Sequence, residues 1–209
     1  MARYVGPVCK LCRREGMKLY LKGERCYSEK CAHTRRPYPP GQHGMRPRRK
    51  SDFGVKLMEK QKLRMNYGLT ESQLQRLFRE AKASRAPTGN KLLELLERRL
   101  DNAVFRAGFA PTAVAARQLV RHRHVQLNGR LVNIPSIRIR AGDTITLTDR
   151  ARKMPMVLEC VEQPSLARPE WLSCSEKEFR AAVTRLPDAT EVPFPVDVQH
   201  VVEYYAVRI

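Results

Sequence analysis

Four cysteines fall within 23 residues near the N-terminus: Cys9, Cys12, Cys26 and Cys31. Two residues separate the first pair, four separate the second, and 13 lie between the pairs. A tetrahedral Zn2+ site is built from two such knuckles, because each short spacing lets two thiolates converge on one ion. Lys10, Arg13, Arg14, Arg25 and Lys30 surround them, and their charge helps stabilise thiolates. The competing readings are a redox dithiol and free thiols. A redox CxxC opens a helix in a strand–helix–strand setting, a pattern this segment lacks. The expectation is one structural Zn2+ held by four cysteine thiolates, with no coordination position left for catalysis. His33 is a substitute ligand or, in preference, an RNA-facing or solvent residue. Cys160 and Cys174 stand alone as ordinary thiols. So short a segment buries little core, so the metal would supply much of its folding free energy.

Charge is the second signal. The 209 residues include 40 lysines and arginines against 21 acidic residues, a formal net charge of +19. Residues 1–66 hold 18 basic and 5 acidic side chains, residues 67–150 hold 15 and 7, and residues 151–209 hold 7 and 9. A positive field over two thirds of the chain exceeds what solubility needs and suits a phosphate backbone. A merely solvated cationic surface is the alternative. No run approaches the ~20 apolar residues of a membrane span. The N-terminus lacks the apolar run and cleavage site of a secretory signal, and no lipidation motif accompanies the charge. The expectation is a soluble, cytoplasmic chain with neither a membrane nor a small-molecule substrate as partner.

These side chains need a scaffold. Residues 35–50, RRPYPPGQHGMRPRRK, combine prolines and cations in a way that excludes a regular helix and favours an extended segment. It reads as a disordered tail or, lying between two ordered modules, as a strap along RNA. A helix starts at Ser51 or Asp52 and runs to about Met65, with Lys56, Lys60 and Arg64 as a basic stripe. A second starts at Thr70, where Gln73 completes a capping box, and turns Leu74, Leu77, Phe78 and Ala81 inward. After a break at 86–89, one long amphipathic helix carries Leu92, Leu93, Leu96, Leu100, Ala103, Val104 and Ala107 on one face and ends at Gly108. Arg98, Arg99 and Arg106 point elsewhere. A short helix follows Thr112, then strands at 124–127 and 130–134 joined by Asn128-Gly129, the strongest short hairpin signal. Ile137, Ile139, Ile145 and Leu147 suggest further strands. The tail, with Trp171, Phe179, several prolines and the run 201–205, reads as extended, packed structure that is core or a protein-facing surface. No internal repeat is present.

Four stretches resemble one family: RPYPPGQHG at 36–44, SDFGVKLMEKQKLRMNYG at 51–68, LLERRLDNAVFRAGFA at 95–110 and HVQLNGRLVNIPS at 124–136. They are similar to the S-four family of small-subunit ribosomal proteins (universal uS-four), in its bacterial or organellar type and zinc-cysteine form, over essentially the whole chain. The last two stretches are shared with a wider RNA-binding module, the S-four domain. The resemblance implies an α+β fold with an N-terminal zinc-binding segment, a helical domain, and an inserted S-four domain of two helices on a small β-sheet. Residues 1–50 form the zinc module and basic extended segment. Residues 51–96 form the helical domain, completed by 161–209 packing on it, and 97–160 form the S-four domain. The resemblance also implies a structural constituent of the small subunit that binds the 5′ domain of its rRNA early in assembly. Its partners would be neighbouring ribosomal proteins, especially the fifth small-subunit protein, and mRNA where it enters the subunit. Some members repress translation of their own operon. Two departures stand out. Thr112-Ala113-Val114-Ala115 replaces a serine followed by arginine, and Arg123 replaces a glycine between two histidines, so it either tolerates a strained conformation or shifts the turn.

RNA binding of this kind rests on phosphate neutralisation and shape, since A-form RNA hides its major groove. The candidate contacts are Arg3, Arg13, Arg14, Arg35, Arg36, Tyr38, His43, Arg46, Lys56, Lys60, Lys62, Arg64, Arg117, Arg121, His122 and Asn128. Any one of them also reads as a solvated charge; the set points to RNA. An RNA-modifying enzyme using the same module would need a catalytic domain, for which 151–209 is too short and proline-broken, so the chain is expected not to be an enzyme. A zinc-finger DNA regulator would need a recognition helix behind the cysteines, where a proline-rich stretch follows instead. A ribosome-rescue protein of the heat-shock type lacks the N-terminal stretches.

Overall fold

A computed structural model describes residues 4–46 and 49–208; Arg3 lies outside them. The helices are α1 (Cys9–Glu15), α2 (Ala32–Arg35), α3 (Asp52–Asn66), α4 (Glu71–Lys82), α5 (Thr88–Glu97), α6 (Leu100–Arg106), α7 (Ala113–Arg121), α8 (Asp149–Arg152), α9 (Pro155–Glu162) and α10 (Val198–Ala206). The strands are β1 (Val125–Leu127), β2 (Arg130–Val132), β3 (Thr144–Leu147), β4 (Leu172–Ser175) and β5 (Arg180–Val183). The chain divides into two compact units, residues 4–92 with 194–208, and residues 93–193.

In the first unit, local signals set the helix starts. The Ser51 hydroxyl accepts the Gly54 N–H at 3.2 Å, fixing Ser51 rather than Asp52 as the cap of α3. Thr70 and Gln73 form the reciprocal capping box that opens α4, which satisfies two otherwise orphaned donors. Leu74, Leu77, Phe78 and Ala81 are buried, as the spacing predicts. The segment 201–205 is different: it is helical, not extended. Asp197 caps α10 by accepting the His200 N–H, and Val201, Tyr204 and Tyr205 are buried. Tyr205 packs on Phe78 with ring centroids 4.8 Å apart. Burying a large side chain of this kind contributes roughly 1.5–3 kcal/mol.

The second unit is a five-stranded antiparallel sheet in the order β2-β1-β3-β5-β4. Helices α6, α7 and α9 cover a core that includes Leu100, Phe109, Val120, Ile145, Val157 and Trp171. Asn128 and Gly129 both have positive φ, +51° and +77°, as a two-residue type I′ turn requires. Two expectations differ from this arrangement. Strands β4 and β5 extend the sheet beyond β3, so residues 161–193 cluster with it, and 194–208 alone join the helical unit. The long helix through Leu92–Ala107 is also broken in two. The Leu100 N–H donates to the Ile137 carbonyl at 2.8 Å and the Ile139 N–H donates to the Arg98 carbonyl at 2.9 Å. Arg99 is therefore extended, φ −72° and ψ 137°. Hydrogen bonds to a distant segment override the local helical preference.

Candidate RNA interface and cysteine module

The N-terminal module is built by short turns. Gly16 ends α1 in the left-handed conformation, φ +74°, and its N–H donates to the Cys12 carbonyl. Cys12, Cys26 and Cys31 are buried and Cys9 is half-buried. Burial pushes the Cys12 thiol above its ordinary range, and the neighbouring Cys26, Cys9 and Cys31 add to the rise. Burial likewise raises Cys26, with Cys31 and Cys9 contributing. Cys31 moves the other way: burial raises it, but hydrogen bonds from the Thr34 and His33 backbones and the Thr34 hydroxyl outweigh that. The four sulfurs thus share one electrostatic neighbourhood. The His33 Nε2 is buried nearby without a hydrogen-bond partner, as a group awaiting a ligand would be. Among the described residues, no three His, Cys, Asp or Glu side chains form a ready metal-binding group. The donor chemistry suits Zn2+.

The proline-rich segment is a tethered turn rather than an extended strap. Arg13 Nε donates to the carbonyls of Arg36 at 3.2 Å and Tyr38 at 3.0 Å, and its Nη2 reaches that of Pro39 at 3.5 Å. Its guanidinium also lies 5.0 Å from the Tyr38 ring centroid. Gly44 closes the turn against the Pro39 carbonyl, where a Cβ would stand 1.9 Å from the oxygen. Arg14, Arg35, Arg36, His43 and Arg46 are exposed and Tyr38 is half-buried. Arg13 is thus engaged by the protein's own backbone.

The stripe on α3 faces protein. Lys60 is 3% exposed, pairs with Glu71 at 2.8 Å and lies 4.9 Å from the Tyr204 ring centroid. Arg64 reaches the same carboxylate at 3.5 Å. Lys56 bridges Asp52 and Glu203 at 3.0 and 3.1 Å, and Lys62 pairs with Glu59. Burial raises the Glu71 carboxyl, but hydrogen bonds from Lys60 and the Tyr205 hydroxyl, with the Lys60 and Arg64 charges, carry it below its ordinary value. A four-residue repeat of cations marks a face; only the acidic partners on α4 and α10 decide what that face meets.

In the second unit the charged run 97–106 folds inward. Arg99 and Arg117 both grip Asp101, Arg99 through two bonds of 3.1 and 3.0 Å and Arg117 Nε at 2.8 Å. Asn102 Nδ2 donates to Glu97 at 3.0 Å, and Arg106 Nη2 donates to the Glu191 carbonyl at 2.7 Å. Glu97, Arg99, Asp101, Asn102 and Arg106 are all buried. The helical pattern turns Arg99 and Arg106 away from the core, but the network holds both, and it ties Arg117, a candidate RNA contact, to Asp101. Asn128 is a clamp as well as a turn residue: its amide donates to Asp143 at 2.8 Å and accepts the Thr144 N–H at 2.8 Å.

Of the candidate contacts in this unit, Arg121 and His122 are exposed at the end of α7, next to the exposed Arg123. Arg123 tolerates the strain, at φ +61°. Its N–H donates to the Val120 carbonyl, and the His124 N–H donates to the Leu119 carbonyl, both at 3.0 Å. That pair of bonds is the Schellman helix end. Arg123, Arg130, Arg140 and Arg150 are exposed cations outside the candidate set. For Arg123 and Arg130 the signal was present, since each flanks a residue of the HVQLNG stretch.

Two family models match the chain: the Ribosomal protein S4/S9 N-terminal domain over residues 3–97 and the S4 domain over residues 98–145. A protein of Methylobacillus flagellatus named small ribosomal subunit protein uS4 is 58% identical, with all of both chains covered. The chain belongs to the uS4 family of small ribosomal subunit proteins. A uS4B protein of Nitrosomonas europaea is 55% identical over all of both chains. A uS4 protein of Thermus thermophilus is 51% identical over 99% of this chain and all of its own length. This is a family of ribosomal structural proteins, not of enzymes.

Proposed function

We propose that this chain is a structural constituent of the bacterial small ribosomal subunit, acting in the cytoplasm by binding the 5′ domain of the subunit's rRNA early in assembly. The observation that carries this reading is identity above half to a uS4 protein over the full length of both chains. The exposed cations Arg14, Arg35, Arg36, Arg46, Arg121 and Arg123 support it. Neighbouring ribosomal proteins, the fifth small-subunit protein among them, and incoming mRNA are the further partners. Repression of the chain's own translation would use the same RNA surface.

The module at Cys9, Cys12, Cys26 and Cys31 is proposed to hold one structural Zn2+. The shared electrostatic neighbourhood of the four thiols supports this. The metal supplies no chemistry beyond fixing the fold of the segment. The double variant Cys9→Ser with Cys12→Ser is expected to lose bound zinc, read by metal analysis, and to weaken incorporation into subunits. Wild-type zinc and wild-type incorporation in that variant would sink the proposal.

The deciding experiment is equilibrium binding to a 5′-domain rRNA transcript against an unrelated structured RNA at matched, near-physiological salt. A large preference for the transcript is the expected result. Equal, salt-sensitive binding to both would reduce the chain to a generic basic RNA binder.

A further inference from the structure

A cavity of about 180 Å3 opens where the end of α7 meets the start of α9, lined among others by Ala115, Gln118, His122, His124, Met154 and Met156. At about 30 Å3 per water, that is room for about six waters: too large for a bare ion, and sized for one planar heterocycle rather than a base pair. Its walls match a nucleobase. The thioethers of Met154 and Met156 are polarizable and adaptable surfaces for a ring face. The His122 and His124 rings stand 6.3 Å apart, tilted by 57°, and offer a second stacking surface. The Gln118 amide and the His122 imidazole carry the donors and acceptors that read a base edge. His122 already stands among the candidate RNA contacts, and Met154 and Met156 also pack partly against the core of this unit.

A soft metal ion is the rival occupant, since two histidines and two methionines are also ligands for monovalent copper or silver. The surrounding charge decides against it. Arg121, Arg123 and Arg150 are exposed around the His122–His124 segment, and Arg150 and His122 are close enough to act electrostatically on His124, which burial chiefly keeps below its ordinary pKa. A cationic rim repels a cation and attracts phosphate. We infer that this cleft receives a single unstacked rRNA nucleobase, gripped by Gln118, His122 and the two methionines, with the arginines on its flanking phosphates. The inference rests on the rRNA-binding reading above, and it supplies the base-specific contact that cations alone do not provide.

The test uses the full chain and the 5′-domain transcript. Gln118→Ala with Met156→Ala, and separately Ala115→Leu to fill the cavity, are expected to weaken binding roughly 5- to 150-fold, the range set by loss of one stacked base. The salt dependence should be unchanged, whereas Arg121→Ala should flatten it by about one phosphate. Chemical probing should find one nucleotide whose base edge is protected by wild type and open to reagent with the variants. If Ala115→Leu does not fold, the surface variants carry the test. Wild-type affinity and protection in folded variants would overturn the inference while leaving the transcript preference intact. Binding of one silver ion that the variants abolish, with unchanged RNA protection, would also overturn it. Loss of preference for the transcript in the wild type would instead count against the rRNA reading itself.

Discussion

At the scale of single residues, type was legible in the sequence and partnership was not. Arg13, Lys60 and Arg117 have the same claim on phosphate by composition as Arg14, Arg35 and Arg121. The fold spends the first three on the Arg36–Pro39 carbonyls, on Glu71 and on Asp101. Nothing in the local spacing distinguishes them, because each partner comes from 11 to 26 residues away. Asp101 shows what such a partnership is worth. Alanine there would leave the Arg99 guanidinium buried and unpaired, and removing one member of a buried ion pair typically costs about 3–5 kcal/mol. Asp101→Ala is expected to lower stability by that amount in urea denaturation. A loss under about 1 kcal/mol would mean the arginines find water. Arg123 makes the opposite prediction. Glycine suits φ +61° without the strain of roughly 1–2 kcal/mol that a side chain incurs, and the extra freedom of the unfolded glycine returns about 0.4–1 of it. Arg123→Gly should therefore gain up to about 1 kcal/mol in the same assay, while its RNA affinity falls and its salt dependence weakens by about one phosphate. A variant no more stable than wild type would show the strain to be absent.

At the scale of elements, the capped helices and the Asn128-Gly129 hairpin were plain in the sequence, because their signals are local. Helix α10 was misread as extended because of the prolines nearby, although Asp197 followed by Val201, Tyr204 and Tyr205 at i, i+3 and i+4 carries a helical signal. Strands β4 and β5 were not, since Leu172–Ser175 and Arg180–Val183 are short, poor in β-branched residues and stable only as additions to β3. The α3–α4–α10 contact has a pH signature. The Glu71 carboxyl is lowered in the fold, so its contribution is fully present above the ordinary glutamate value of about 4.3. It is lost as pH falls through that value and the lowered one. Thermal melts from pH 7 to pH 3 should show an acid loss that Glu71→Gln removes. Parallel profiles would assign that loss to other carboxylates. The Arg36–Arg46 turn makes a further prediction. Gly44→Ala forces the Pro39 carbonyl away, so limited trypsin digestion should cut faster after Arg35 or Arg49, which flank the turn and are not followed by proline, with the helical unit's melting temperature nearly unchanged. Unaltered digestion would mean the turn accommodates the methyl group elsewhere.

At the scale of the whole molecule, the charge gradient correctly pointed to RNA. The boundary between units was beyond composition, because it depends on which sheet edge residues 172–183 join. The S4 domain match ends at residue 145, inside β3, so a fragment cut there would lose the end of that strand and bare its far edge. The first unit is discontinuous along the chain, residues 4–92 and 194–208 with a complete second unit between them. That order sets a timetable for synthesis. At about 5–20 residues per second, residues 93–193 emerge whole and can fold while α3 and α4 still wait for α10. Until Tyr204 and Tyr205 leave the exit tunnel, Lys60 and Glu71 remain exposed, and the first module to be translated is the last to be finished.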